Sequence, residues 1–306
     1  MTAGQAIQQA LHKLREYGIG SPLTEAALLM CRVIQRDRSF VLAHPEFPLS
    51  PKDMKTFESL VERRCTGEPY SYIAGSREFL GMEFKTGPGV LSPRPETERL
   101  VETAIDWIRS LQTQYPGKVM RVLDLGTGTG CIAAGMAAGC RDIRVLACDV
   151  SPDALAYARR NIQKLAPGFM PGSRVELIQA DMTAKNFESA VRSWLRREQA
   201  GEICVVLSNP PYIPSGEIGG LSPEVSRFEP RLALDGGEDG LLFYRVIAVK
   251  AARLLEPGGL LVLEVGAGQC EAVGVLLEQA GYKVQAPVCD YAGIRRVVTG
   301  VTAGHG

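Results

Sequence analysis

Val122-Leu123-Asp124-Leu125-Gly126-Thr127-Gly128-Thr129-Gly130 decides the fold of this 306-residue chain. An apolar run ends in a glycine-rich turn, and a helical pattern starts at Cys131 directly after it. A strand, a glycine turn and a helix thus follow one another, and glycines there permit positive φ and let a ligand approach the backbone. The spacing is G-x-G-x-G rather than G-x-G-x-x-G, so it offers a dinucleotide pyrophosphate a poor cradle. A ligand with no phosphate, such as S-adenosylmethionine, fits better.

Outward from this turn, the next strand ends in Ala147-Cys148-Asp149, 19 residues past Gly130, as one βαβ unit requires. An acid there can accept both hydroxyls of a ribose, which makes Asp149 the candidate ribose ligand. Ser151-Pro152-Asp153 then opens a helix with a cap and a first-turn proline. The third strand ends in Ala180-Asp181-Met182, where the acid can accept from an adenine amino group and Met182 can pack on the ring. A single acid at a strand end is more often a cap or a solvated turn. Three such features in order on successive strands make coincidence improbable. The candidate cofactor residues are therefore Gly126, Thr127, Gly128, Thr129, Gly130, Asp149, Asp181 and Met182, with Asn209 beside them.

The fourth strand, residues 203–207, runs into Asn209-Pro210-Pro211-Tyr212. Ligands of open α/β sheets bind at this carboxyl edge. The Asn oxygen and a carbonyl of the turn can accept hydrogen bonds from a planar group carrying an NH2, with Tyr212 stacked on its face. The tetrapeptide suggests an amino-group methyltransferase, although taken alone it is an ordinary loop about as often.

Strand patterns at 121–125, 143–148, 175–179, 203–207 and 260–265 alternate with helix patterns at 131–138, 153–165, 188–198, 241–254 and 269–280. Such alternation predicts a doubly wound, mostly parallel sheet. Residues 5–75 carry helical spacing, with helix starts at Ser21-Pro22 and Ser50-Pro51. Phe79 to Val90 alternates around glycines as a β-hairpin does. The expected organisation is a helical domain at 1–76, a hairpin connector at 77–92 and a catalytic domain at 93–306. Lysine plus arginine balances aspartate plus glutamate at 34 each, so no overall basic field draws the chain to nucleic acid. The eight cysteines form no CxxC pair and no zinc spacing, so no metal site is expected and a reduced compartment is. The start, MTAGQAIQQALHKLREYGIG, lacks a continuous apolar segment, and no run approaches a membrane span. A soluble, cytoplasmic protein is expected; an organellar location is not excluded.

The glycine turn, Asp149, Asp181 and Asn209-Pro210-Pro211-Tyr212 in this order resemble a class I S-adenosylmethionine-dependent methyltransferase. Further stretches resemble the PrmC/HemK family, protein N5-glutamine methyltransferases of peptide chain release factors. They are Gly67-Glu68-Pro69-Tyr70-Ser71-Tyr72-Ile73-Ala74-Gly75, Glu78-Phe79-Leu80-Gly81 and Val90-Leu91-Ser92-Pro93-Arg94-Pro95-Glu96-Thr97-Glu98. Phe228-Glu229-Pro230-Arg231-Leu232-Ala233-Leu234-Asp235-Gly236-Gly237 and Glu264-Val265-Gly266 join them. The resemblance spans about residues 67 to 299 and departs at Ser92, where Ile is commoner, and at Arg295, where an acid often stands.

It implies a seven-stranded Rossmann-like sheet with a small N-terminal helical domain that helps hold the partner. The implied reaction takes a methyl group from S-adenosylmethionine, leaving S-adenosylhomocysteine, to the glutamine of the Gly-Gly-Gln loop in class I release factors. A monomer with no direct nucleic-acid or membrane contact is expected. Asn209 and the Pro210 carbonyl would accept the two amide hydrogens, Pro211 would stiffen the turn and Tyr212 would pack on the amide plane. Positioning rather than a strong base would carry the rate, since His12, His44 and His305 lie in the helical domain and the tail. Arg94, Thr97 and Glu98 admit two readings, closure over the cofactor's methionine end or a helix cap. Glu229 likewise contacts the substrate loop or anchors its own segment. The tetrapeptide also serves exocyclic amines of nucleic-acid bases. A dinucleotide-dependent oxidoreductase and a non-catalytic binding module are further alternatives.

Overall fold

The computed structural model describes residues 1–199 and 201–303; His305 lies outside them. In chain order the first elements are α1 (Ala3–Glu16), α2 (Pro22–Ile34), α3 (Arg38–Ala43), α4 (Pro51–Cys65) and α5 (Tyr70–Ala74). Then come β1 (Ser76–Phe79), β2 (Met82–Lys85), α6 (Glu96–Gln114), β3 (Met120–Leu125), α7 (Cys131–Gly139), β4 (Ile143–Asp149), α8 (Pro152–Leu165), β5 (Arg174–Gln179) and α9 (Phe187–Arg197). The chain continues with β6 (Ile203–Ser208), α10 (Pro223–Ser226), α11 (Leu242–Ala252), β7 (Leu255–Glu264), α12 (Cys270–Gln279), β8 (Tyr282–Val284), β9 (Val288–Cys289) and β10 (Arg295–Thr302). Two compact units result, one of Met1–Ser76 with Leu221–Glu229, the other of Arg77–Gly220 with Pro230–Gly306. Residues 221–229, which the sequence reading leaves within the catalytic domain, thus group with the helices.

In the helical unit, Ser50 caps α4 and exchanges hydrogen bonds with Asp53, a reciprocal box that satisfies two otherwise orphaned donors. Ser21 does not repeat this: its φ is +50° and its side chain makes no cap bond, so Pro22 alone marks the start of α2. Ile7, Leu14, Leu29, Met30 and Phe57 fill the core. Arg64 is buried at 1% exposure, which a guanidinium tolerates only when paired. It donates to Glu25, to Glu224 on α10 and, at 3.2 Å, to the Glu68 carbonyl. This cluster ties the 221–229 segment to the helices.

The second unit is built on a sheet of order β5-β4-β3-β6-β7-β10-β8. Its β5-β4-β3-β6-β7 run is parallel, and β10 is antiparallel to both β7 and β8. The mostly parallel path has the expected seven strands, and the two-residue β9 adds an eighth by pairing with β10. β3 is buried on both faces: Leu123 and Leu125 enter one core with Trp194 and Tyr244, and Val122 enters the other with Ile132 and Val262. Strand order reverses between β3 and β6, which opens a crevice at their carboxyl ends.

β1 and β2 form a two-stranded hairpin whose turn, Leu80-Gly81, has φ of +49° and +70°. That mirror-type turn matches the right-handed twist of the strands, but left-handed leucine costs ~1 kcal/mol. A 2.8 Å bond from the Leu80 N–H to the Glu98 carboxylate helps to hold it. Among the described residues no helix is long and apolar enough to cross a membrane.

Candidate active site

The crevice holds a cavity of about 260 Å³. Gly126, Thr127, Gly128 and Thr129 of the turn after β3 line it, and Gly130 does not; φ is +72° at Gly126, +55° at Gly128 and +81° at Gly130. A Cβ on Gly130 would meet Ala158 of α8 at 3.3 Å, so glycine there also permits close helix packing. The turn is pinned from beneath: the N–H groups of Gly126 and Thr127 both donate to the Cys148 carbonyl at 2.9 Å.

Asp149 lies on the cavity wall at the end of β4. Its Oδ2 accepts from the Gly128 N–H and its Oδ1 from the Ser151 N–H, each at 2.9 Å. The carboxylate is therefore held in place before any ligand arrives, each oxygen keeping a lone pair for a hydroxyl. Burial pushes its pKa up, against the lowering effect of these N–H donors. Asp181 and Met182 line the same cavity. Asp181 Oδ1 accepts from both the N–H and the hydroxyl of Thr183 at 2.7 Å, so this acid stabilises its own turn while leaving Oδ2 open. Met182 Cε lies 3.5 Å from where a Gly126 Cβ would stand.

Asn209 and Pro211 reach the cavity wall; Pro210 and Tyr212 do not. Asn209 Nδ2 donates to Thr97 Oγ1 at 3.2 Å, and Oδ1 accepts nothing from the described residues. Tyr212 packs against the β-sheet core, and burial pushes its hydroxyl up to about 12. Its carbonyl accepts from Gln269 Nε2 at 3.0 Å, which ties the turn to the start of α12. The ring thus fills the core-capping role open to an aromatic at this position.

Arg94 and Thr97 line the cavity, whereas Glu98 bonds the hairpin turn. Neither of the two readings of Glu98 describes that bond, because its partner lies in another element. Glu229 is buried and belongs to the unit of the helices. Ser92, on the cavity wall, is 2% exposed and its Oγ has no hydrogen-bond partner among the described residues.

Three residues of the site escape sequence reasoning. Asp124, wholly buried in β3, accepts from the Thr127 hydroxyl at 2.6 Å, and burial pushes it up to about 7. Asn161 of α8 is also fully buried and donates to the Thr129 carbonyl at 2.9 Å. Glu264, at the end of β7, is pushed up to about 7 by burial, opposed by the Thr97 hydroxyl. The one available signal was polarity out of place: an acid inside Val-Leu-Asp-Leu, an Asn among the apolar positions of α8 and an acid closing an apolar strand.

The fold and this crevice define a class I, Rossmann-like methyltransferase. A family model described as PrmC N-terminal domain matches residues 5–75, and one described as methyltransferase domain matches residues 122–194. The chain is 38% identical to the release factor glutamine methyltransferase of Moorella thermoacetica, with 96% of both chains covered. It is 39% identical to that of Bordetella pertussis, covering 92% of this chain and 95% of the other. With that of Geobacter sulfurreducens it shares 36% identity over 94% and 92%. The chain belongs to the release factor glutamine methyltransferase family.

Proposed function

We propose that this protein methylates the side-chain amide of the glutamine in the Gly-Gly-Gln loop of class I release factors. The observation that carries the reading is the Asn209 carboxamide. Its NH2 is engaged by Thr97 and its oxygen is left to accept, on the wall of the cavity that also presents Asp149 and the glycine turn. An acceptor at that place recognises an NH2 donor, which a glutamine amide supplies.

The cavity fits S-adenosylmethionine in its donor set. The glycines leave the backbone open to a ligand, Asp149 keeps acceptor capacity for a ribose, and Asp181 Oδ2 is free for an amino group. Met182 offers an apolar face, and Ser92 brings a buried hydroxyl with no other partner among the described residues. When bound, this cofactor supplies an electrophilic methyl group on a sulfonium and leaves as S-adenosylhomocysteine. An amide nitrogen is a poor nucleophile because its lone pair is delocalised, so orientation must provide much of the rate. Asn209 Oδ1 and the Pro210 carbonyl accept the two amide hydrogens and aim the nitrogen, while Pro211 stiffens the turn. Tyr212 holds that turn through the core rather than from the cavity wall. The helical unit helps to recognise the partner, a role supported by its match to the family's N-terminal domain.

Two substitutions separate the halves of this site. Asp149→Ala lowers affinity for S-adenosylmethionine about 10- to 100-fold by calorimetry, as loss of hydrogen bonds to a charged group does; an unchanged affinity contradicts the ribose assignment. Asn209→Ala keeps cofactor affinity and loses ~100-fold or more in methyl transfer to a release factor. Near-normal turnover by that variant contradicts the role of Asn209.

A further inference from the structure

Two residues of the Asn209-Pro210-Pro211-Tyr212 turn are prolines, which have no N–H to brace it from within. A turn so poor in donors takes its shape from its surroundings. Its entry continues β6, where the Ser208 hydroxyl donates to the Leu125 carbonyl at 2.8 Å. Its exit is the peptide unit between Tyr212 and Ile213, which is gripped from two sides. The Tyr212 carbonyl accepts from Gln269 Nε2 at 3.0 Å, and the Ile213 N–H donates to the Leu234 carbonyl at 3.0 Å.

Gln269 is itself set in one orientation. Its Oε1 accepts from the Gly266 N–H at 2.9 Å, and its backbone N–H donates to the Gly266 carbonyl at 3.1 Å. A backbone N–H only donates and a carbonyl only accepts, so Gly266 and Tyr212 together fix which end of the side-chain amide faces each. Glycines let this grip close. A Cβ on Gly236 would stand 2.8 Å from both Cα and the carbonyl carbon of Tyr212. One on Gly266 would stand 2.8 Å from Gln269 Oε1 and 3.1 Å from Tyr212 Cδ2. Neither glycine has a positive φ, so the missing side chain is what these places require. The stretches 228–237 and 264–266 thus each set a buried glycine against Tyr212.

We propose that Gln269 is a positioning residue for methyl transfer, with Gly236 and Gly266 giving it room. By holding the Tyr212 peptide it fixes the acceptor groups of the turn, Asn209 Oδ1 and the Pro210 carbonyl, and so aims the substrate nitrogen. The inference rests on the reading of this turn as the holder of the substrate amide.

The test uses the full-length enzyme with Gln269→Met, which keeps the length and removes both side-chain bonds, and Gln269→Glu, assayed at about pH 8.5, where a carboxyl is ionised. The carboxylate keeps an acceptor for Gly266 but turns an oxygen to the Tyr212 carbonyl, so it severs only the link to the turn. Calorimetry gives cofactor affinity and the number of cofactor-binding sites; kcat and KM on a release factor are measured with kcat counted per site. Both variants should lower kcat ~10- to 100-fold, as a misaimed reactant does, with KM and cofactor affinity within ~3-fold of wild type. A merely structural glutamine would lower the number of sites and leave kcat per site unchanged. If neither variant folds, Gly236→Ala, which presses on Tyr212 without removing a bond, is read in the same way. Wild-type kcat per site in Gln269→Met or Gln269→Glu overturns the proposal. Failure of the wild type to methylate the glutamine overturns the functional reading instead.

Discussion

Asp124 has no accessible surface, and its carboxyl stays protonated up to about pH 7. Burial is the chief cause, reinforced by the negative charge of Asp149 and opposed by the Thr127 hydroxyl. Its folded pKa lies above the ordinary value of 3.8, so the native state holds the proton more tightly than the unfolded chain. This group's stability contribution is complete below about pH 4 and is lost as pH rises through about 7. Asp124→Asn cannot ionise and still offers an oxygen to Thr127. Its stability relative to wild type should therefore grow between pH 5 and pH 7, by up to ~1.4 kcal/mol per pH unit. Urea melts at pH 5 and 8 check this, and a constant difference between the two proteins contradicts it. At this scale the sequence reveals acids that end strands, such as Asp149, because strand ends are visible in the apolar pattern. It does not reveal the Asn209–Thr97 pair, because residues far apart in the chain carry no local mark of their contact.

The glycine turn, the hairpin and α8 meet at one side chain. Asn161 Oδ1 accepts from the Lys85 N–H at 2.7 Å, and its NH2 donates to the carbonyls of Lys85 and Thr129 at 3.0 and 2.9 Å. One residue thus joins the end of β2 to the cofactor turn, with no exposure to water. Asn161→Ala leaves those backbone groups buried without partners, and should cost ~2–4 kcal/mol in chemical unfolding. A loss under 1 kcal/mol would mean that the hairpin and turn do not depend on this tie. The elements themselves were largely legible, because apolar periodicity and helix starts such as Ser50-Pro51 and Ser151-Pro152 are written locally. Both serines cap their helices as read. Short pieces were not legible: α3, α5 and β9 are six, five and two residues long, too short for a period to show.

In the whole molecule, balanced charge coexists with local pairing, as where buried Arg64 meets the partly exposed Glu25 and Glu224. That cluster explains why residues 221–229 leave the unit that surrounds them in sequence, a pairing that composition could not announce. The cofactor half of the site was readable from the chain because each strand end contributes its residue in order. The acceptor half was readable only as a planar NH2, and the choice of a glutamine rests on the family resemblance and on full-length relatives. The most direct test is therefore the acceptor itself. Labelled S-adenosylmethionine is incubated with this enzyme and a class I release factor, once with its Gly-Gly-Gln glutamine and once with that glutamine replaced. Label should enter the first protein, at the glutamine side chain, and not the second. Equal labelling of both, or labelling of neither, would contradict the assignment.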